Sequence, residues 1–246
     1  MRKKKICFCA MLGVLLAFAC GLGVYSVKRV MNSLQTPTSP VIIIDAGHGG
    51  MDGGATGISG VLEKDINLSI ATRLCSLAEL GGYNAIMVRS TDRSVHEEGI
   101  TGVRKQKVSD IHQRLALAKK YPDAVFVSVH QNYFPQQSSW GTQVFYSTEN
   151  EQSRVLAQKI QDNIREALQP DNKREIKPAG NNLYLLSHMN NPAVMVECGF
   201  ISNSEDCQRL MQADYQQQLA FKILQSVNEL QMQTGTEGKV INGTES

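Results

Sequence analysis

A chain of 246 residues that is 42% hydrophobic and 20% charged has enough apolar side chain for a sizeable core, which excludes a disordered or fibrous protein. Its formal charge of +2 is front-loaded: Arg2, Lys3, Lys4, Lys5, Lys28 and Arg29 are six of the 25 basic residues, and none of the 23 acids precedes Asp45. The remaining 19 basic residues face those 23 acids, a balance that gives nucleic acid no basic surface to bind.

The chain begins with a leader. "MRKKK" runs into "ICFCAMLGVLLAFACGLGVYSV", uncharged from Ile6 to Val27, the order of a basic n-region and an apolar segment that directs export. Ala17-Phe18-Ala19 offers a small-residue cleavage site, yet 22 uncharged residues also suffice to span a bilayer. Residues 1–27 are thus either a signal peptide or a membrane anchor. The protein is expected outside the cytoplasm, touching membrane only through this leader. Residues 28–40, "KRVMNSLQTPTSP", read as a linker of polar and turn-forming residues.

Apolar strands and amphipathic helices then alternate. "VIIID", Val41–Asp45, is a continuous β run. Lys64–Leu80 places Ile66, Ile70, Leu74 and Leu77 at helical spacing, and Tyr83–Arg89 is a second strand. Ser90–Ser109 is polar and reads as a loop too long for a mere connector. Ile111–Lys120 is expected to be helical, Ala124–His130 and Gly141–Tyr146 to be strands. Leu156, Ile160, Ile164 and Leu168 mark a long helix, Leu183–Leu186 and Ala193–Glu197 the last strands. Leu219, Ile223, Val227 and Leu230 line a closing helix, and 234–246 read as a flexible tail. The alternation predicts one three-layer α/β domain over 41–233, its sheet mostly parallel.

Ligands of open α/β sheets bind beyond the carboxyl ends of the strands. Three strands deliver a reactive side chain there: Val41–Asp45 leads to His48, Ala124–Val129 to His130, and Ala193–Val196 to Glu197. Glu63, just before the first long helix, returns to the same edge through the glycine-rich loop "GHGGMDGGATG". Two histidines and a carboxylate form a catalytic zinc set with one position left open. His48, Glu63 and His130 are therefore assigned as metal ligands. Asp45 is placed behind them, to hold the loop or orient an imidazole. Glu197 is left for proton transfer, and taking a proton from water and giving it to a leaving nitrogen is the chemistry of amide hydrolysis.

Other histidines carry less. His96 lies in the polar loop, His112 begins a helix and His188 sits in a turn, and structural roles suffice for them. Beyond the leader only Cys75, Cys198 and Cys207 remain, which make neither a disulfide framework nor a thiolate zinc site; a Cys198–Cys207 bridge is left open. "GHGGMDGG" is not a dinucleotide loop, and no G-x-S-x-G is present.

"DAGHGGMDGGA", Glu63 before its helix, "SVHQN" and "AVMVECGFISN" together resemble the zinc-dependent N-acetylmuramoyl-L-alanine amidases of the type-3 family, over Val41 to Leu230. The resemblance implies a twisted sheet of about six strands with helices on both faces. It implies Zn2+ on the residues matching His48, Glu63 and His130, and a catalytic acid/base at Glu197. The implied reaction cuts peptidoglycan at the amide between the lactyl group of muramic acid and the first L-alanine of the stem peptide. "EEGITGVRKQKVSDIHQRLALA", Glu97–Ala118, is similar to the germination-specific branch. That branch acts on spore cortex ahead of a deacetylase, on the route to muramic-δ-lactam, and some relatives need a protein activator. Ala46 stands where the family commonly has proline and Gln131 where it has alanine; Arg89 and Arg114 match recurring arginines, and Asn132 matches the asparagine of the histidine motif. Those three are open to structural or substrate roles. The metal set alone also admits a carboxypeptidase or endopeptidase of the stem peptide, or a wall-binding module without turnover.

Overall fold

The computed structural model describes residues 39–58 and 60–241, with backbone alone from 234 onward. The leader at 1–27 and nearly all of the linker lie outside the described residues. Six strands form one sheet: β1 (Val41–Ala46), β2 (Asn84–Met87), β3 (Val125–Asn132), β4 (Gln143–Tyr146), β5 (Lys177–Pro178) and β6 (Ala193–Phe200), in the order β2-β1-β3-β6-β4-β5. β1 runs parallel to β2 and β3, and β3 parallel to β6, whereas β4 is antiparallel to β6. The mostly parallel sheet that the alternation predicts is the one observed.

Side chains of a strand alternate between its faces, and that period sorts the core into two layers. Ile42, Ile44, Val125, Val127, Val129, Val194 and Val196 join one apolar cluster. Packed there are helices α1 (Glu63–Leu80), α3 (Glu151–Leu168) and α6 (Ala213–Ile241), through stripes such as Ile66, Ile70 and Leu74, or Leu219, Ile223 and Val227. Ile43, Phe126, Ala193 and Met195 face the other cluster, beneath α2 (Val103–Lys120) and α4 (Tyr184–Ser187). Ile42, Ile43 and Ile44 are all 0% exposed, which explains why β1 is apolar at every position. By the same parity Asp45, Ser128, His130 and Glu197 belong to the α2 and α4 face.

Several elements differ from the sequence reading. Leu183–Leu186 is not a strand: Tyr184–Ser187 is the one-turn helix α4, a distinction that a four-residue apolar run cannot make. Helix α2 starts at Val103 and absorbs the last third of the segment assigned to a loop, since its first turns carry the exposed Arg104, Lys105 and Lys107. The closing helix continues to Ile241, past the point where a tail was expected. β5 is two exposed residues, and its Pro178 leaves no ladder donor on that sheet edge. Cys198 and Cys207 are buried and free, so no bridge joins them. Among the described residues no helix is long and apolar enough to cross a membrane.

Candidate active site

The loop after β1 is built to place His48. Its φ of 61° makes it the only non-glycine residue with positive φ among the described residues, a conformation that costs energy and persists only where the surroundings enforce it. Gly49 and Asp52 exchange backbone hydrogen bonds of 2.9 and 3.1 Å, closing a tight turn that swings Asp52 back onto the ring. There Asp52 Oδ2 lies 2.9 Å from His48 Nδ1. Arg89, 1% exposed, donates to the carbonyls of Ala46, Gly47, Thr91 and Lys64 and pins both ends of the loop from below.

Glu63 opens α1, and its carboxylate is fixed by three backbone and side-chain donors. Ala55 N–H donates to Oε2 at 3.0 Å, while Gln131 N–H and Asn67 Nδ2 reach Oε1 at 3.2 and 3.3 Å. The same Oε1 lies 2.9 Å from His130 Nδ1 and 3.2 Å from His48 Nε2. One ligand atom from each of His48, Glu63 and His130 falls within 4.8 Å of the other two. The loop after β1, the start of α1 and β3 thus bring together the three residues assigned as ligands.

Two glycines make the approach possible. A Cβ on Gly47 would sit 2.2 Å from His130 Nε2, and one on Gly54 would sit 2.5 Å from Glu63 Oε2. No other residue type leaves room for the imidazole and the carboxylate at these positions.

The electrostatics favour a cation. Burial opposes charge on His48, but hydrogen bonds and charges from Asp52 and Glu63 outweigh it and raise the imidazole to about 9. Burial opposes the charge on Glu63 too, yet the two histidines hold its carboxyl far below the usual range. A donor set that keeps one acid ionised and draws positive charge to its centre fits a divalent metal, and a zinc ion takes such nitrogen and oxygen ligands.

Glu197 stands in direct register with His130 on the adjacent parallel strand. Its Oε2 is shut off from solvent without a hydrogen-bond partner. Burial pushes its carboxyl up to about 7, with opposing effects from His130 and Glu63. A carboxyl that exchanges its proton near neutrality is suited to acid and base work. β3 and β6 run on to Asn132 and Phe200, so His130 and Glu197 lie before the strand ends rather than at them.

The other assignments resolve differently. Asp45 does not orient an imidazole: it accepts from Ser128 Oγ at 2.7 Å and pairs with Arg114, and Asp52 takes the orienting place. Arg114 is buried and ties Asp45 to Asp110. Asn132 closes β3 past a bulge, its carbonyl bound by Ile201 N–H at 2.9 Å. His188 stacks on Tyr184 at 4.0 Å between centroids, and His96 bonds Ser94. A cleft of about 300 Å³ opens beside the cluster, lined by His48, His130, Lys107, Arg114, Tyr184 and Met195.

Fold and site define a doubly covered α/β sheet with a cluster at its carboxyl edge, His48, Glu63 and His130, whose donor atoms could hold a metal ion. The Amidase_3 family profile, N-acetylmuramoyl-L-alanine amidase, matches residues 42–229. The chain belongs to this family and is an amidase of peptidoglycan. It is 32% identical over 187 residues to the germination-specific N-acetylmuramoyl-L-alanine amidase of Bacillus subtilis, covering 76% of this chain and 78% of the relative. The CwlD amidase of Clostridioides difficile, solved in complex with the GerS lipoprotein, superposes with a TM-score of 0.75 and 34% identity, over 79% of this chain and 99% of that one. An N-acetylmuramoyl-L-alanine amidase from Clostridium difficile 630 follows at 0.67 and 27%, over 78% and 96%.

Proposed function

We propose that the domain 41–233 is a zinc-dependent amidase in which His48, Glu63 and His130 hold the metal and Glu197 moves the proton. One observation carries this: the orphaned Oε2 of Glu197 lies in register with His130, beside a cluster that favours a cation. Zinc in such a set supplies Lewis-acid activation of the amide and of water. Glu197 accepts a proton from the attacking water at its carboxylate. It returns that proton to the nitrogen of L-alanine as the bond to the lactyl carbonyl breaks. Asp52 keeps His48 Nδ1 engaged so that Nε2 faces the cluster.

Spore cortex is the substrate this reading favours, with a deacetylase acting after it toward muramic-δ-lactam. The germination-specific relative and the E-G-x-x-G segment at Glu98–Gly102 support it. A lipoprotein is the partner suggested by the complex of the CwlD relative, and we read it as the activator. Export through the leader at 1–27 would bring the enzyme to the wall. Asn132 is read as a rim residue, Arg89 and Arg114 as supports of the ligand loop.

The test is digestion of purified cortex peptidoglycan by the full chain with zinc, with and without the activator, followed by mass spectrometry of the fragments. Peptides with a free N-terminal L-alanine are expected, and Glu197→Gln and His48→Ala abolish them while the fold survives. Release of D-alanine or internal peptide cuts would instead identify a carboxypeptidase or endopeptidase, and zinc-independent binding without any product a wall-binding module.

A further inference from the structure

Gln131 follows His130 on β3, and its side chain points away from the cleft, toward α1. The register between β3 and β6 slips here: His130 pairs with Glu197 but Asn132 with Phe200, so Cys198 and Gly199 together stand opposite Gln131. Phe200 N–H donates at 2.9 Å to Asp206 Oδ2 of α5 (Ser204–Leu210), which fixes β6 past the irregularity. A bulge of this kind re-aims a side chain, and this one is aimed at the back of the ligand cluster.

Three buried side chains are linked there by hydrogen bonds. Gln131 Nε2 donates to Asn67 Oδ1 at 3.1 Å, and Asn67 Nδ2 donates to Glu63 Oε1 at 3.3 Å and to the carbonyl of Gly47 at 3.1 Å. Gln131 is 3% exposed, Asn67 0% and Glu63 4%. The polarity of this relay follows from its far end. An ionised carboxylate and a carbonyl only accept, so Asn67 must give them its NH2 and turn its oxygen to Gln131. Gln131 must then give its own NH2, and its Oε1 is left buried without a partner.

That orphaned oxygen is the informative atom. Methionine or leucine would fill similar space between β3 and α1 without it, and a buried acceptor left unpaired is costly. The amide is retained for what its donor does. It holds Asn67 in the one orientation that presents hydrogen to Glu63 Oε1, the oxygen that also faces His130 Nδ1 and His48 Nε2. Donors behind a ligating carboxylate orient it and tune how tightly the metal is held. We propose that Gln131, acting through Asn67, is a positioning residue for the metal: it fixes Glu63 as a ligand and raises the affinity of the site for zinc. This rests on the reading of His48, Glu63 and His130 as the zinc ligands.

Gln131→Met in the full-length chain removes this donor and keeps the backbone N–H of residue 131 that reaches Glu63 Oε1 at 3.2 Å. Competition with a chromogenic chelator is expected to show zinc held about 10–100-fold more weakly than in wild type. The visible d–d absorption of the Co2+-loaded variant should differ from that of wild type, because the spectrum reads the ligand field directly. The urea midpoint of the metal-free protein should stay level or rise, since the orphaned oxygen is gone. Gln131→Leu, of different shape, should repeat all three results, which separates the lost donor from any misfit of methionine. Zinc affinity and a Co2+ spectrum that match wild type overturn the proposal. So does a metal-free midpoint that falls in both variants, which makes Gln131 a packing residue. Those outcomes leave the zinc site standing. If instead wild type binds no zinc, or His48→Ala binds it as tightly, the ligand reading fails and this inference falls with it.

Discussion

Arg114 reaches from α2 to Asp45 at the end of β1, and its NH2 group holds the carbonyl of His48 at 2.9 Å. One buried guanidinium thereby neutralises an acid beneath the site and braces the residue held at positive φ. Asp110, one turn earlier on α2, completes the pairing and also ties down Ser94 and Val95, so the long connection after β2 is stitched to the same helix.

Replacing Arg114 by Ala should therefore do more than open space. It strands Asp45 at 1% exposure without its cation, a change that costs about 3–5 kcal/mol. Urea unfolding of the variant should show that loss. Arg114→Lys keeps the charge but not the fork, and should recover part of the stability while leaving the His48 carbonyl unbound. Equal stability of Arg114→Ala and wild type would show that the pair carries no net support.

Asp52→Asn tests how the first histidine is aimed. The carboxylate takes His48 Nδ1 on one oxygen and Lys107 Nζ, at 2.8 Å, on the other. An amide offers no charge to either and can present its NH2 to the ring. Loss of such an orienting partner typically lowers metal affinity 10–100-fold. Competition with a chromogenic chelator measures it, and the melting temperature of the chelated protein should hardly move. An unaltered zinc affinity would mean that the turn, not the carboxylate, fixes the ring.

Asp52 also marks where sequence reading stopped. β1, β3 and β6 were legible because strands buried on both faces are apolar at nearly every position, and the polar residues that break those runs, Asp45, His130 and Glu197, announce themselves. Which acid meets which imidazole was not legible. Asp45 lies closest along the strand but is consumed by Arg114, and Asp52 arrives only through a reverse turn whose closure depends on backbone bonds between Gly49 and Asp52. Its flanking glycines, at 49–50 and 53–54, were the available signal of a doubled-back loop. The start of α2 was hidden for a related reason: a helix whose first turns face solvent has no apolar stripe to betray it.

Gly47→Ala is the most economical probe of the cluster's geometry. The backbone there is not in the left-handed region, so alanine adds no conformational strain, only one methyl 2.2 Å from His130 Nε2. The ring must move, and the triad cannot then close. Zinc content by elemental analysis should fall well below one per chain, and amide cleavage should drop with it. Circular dichroism should remain that of the wild type, since β1 and β3 keep their registers. A zinc-replete, active Gly47→Ala protein would show that His130 has room the structure does not show.

Glu197 gives the clearest pH signature, in chelated protein where no cation masks it. Its carboxyl is pushed from an ordinary 4.5 up to about 7, chiefly by burial. The native state thus binds this proton more tightly than the unfolded chain does. The resulting stability is fully present below about 4.5 and is lost as pH rises through about 7. Across that window the loss is on the order of 3 kcal/mol. Glu197→Gln cannot titrate, so the difference in unfolding free energy between wild type and variant should fall by that amount from pH 4 to pH 8. Contributions from His48 and Glu63 are common to both proteins and largely cancel. Urea unfolding at closely spaced pH values measures the slope. Parallel curves for the two proteins would mean that Glu197 is already ionised in the fold, and a carboxylate ionised throughout would hold the proton of water too weakly to pass it on.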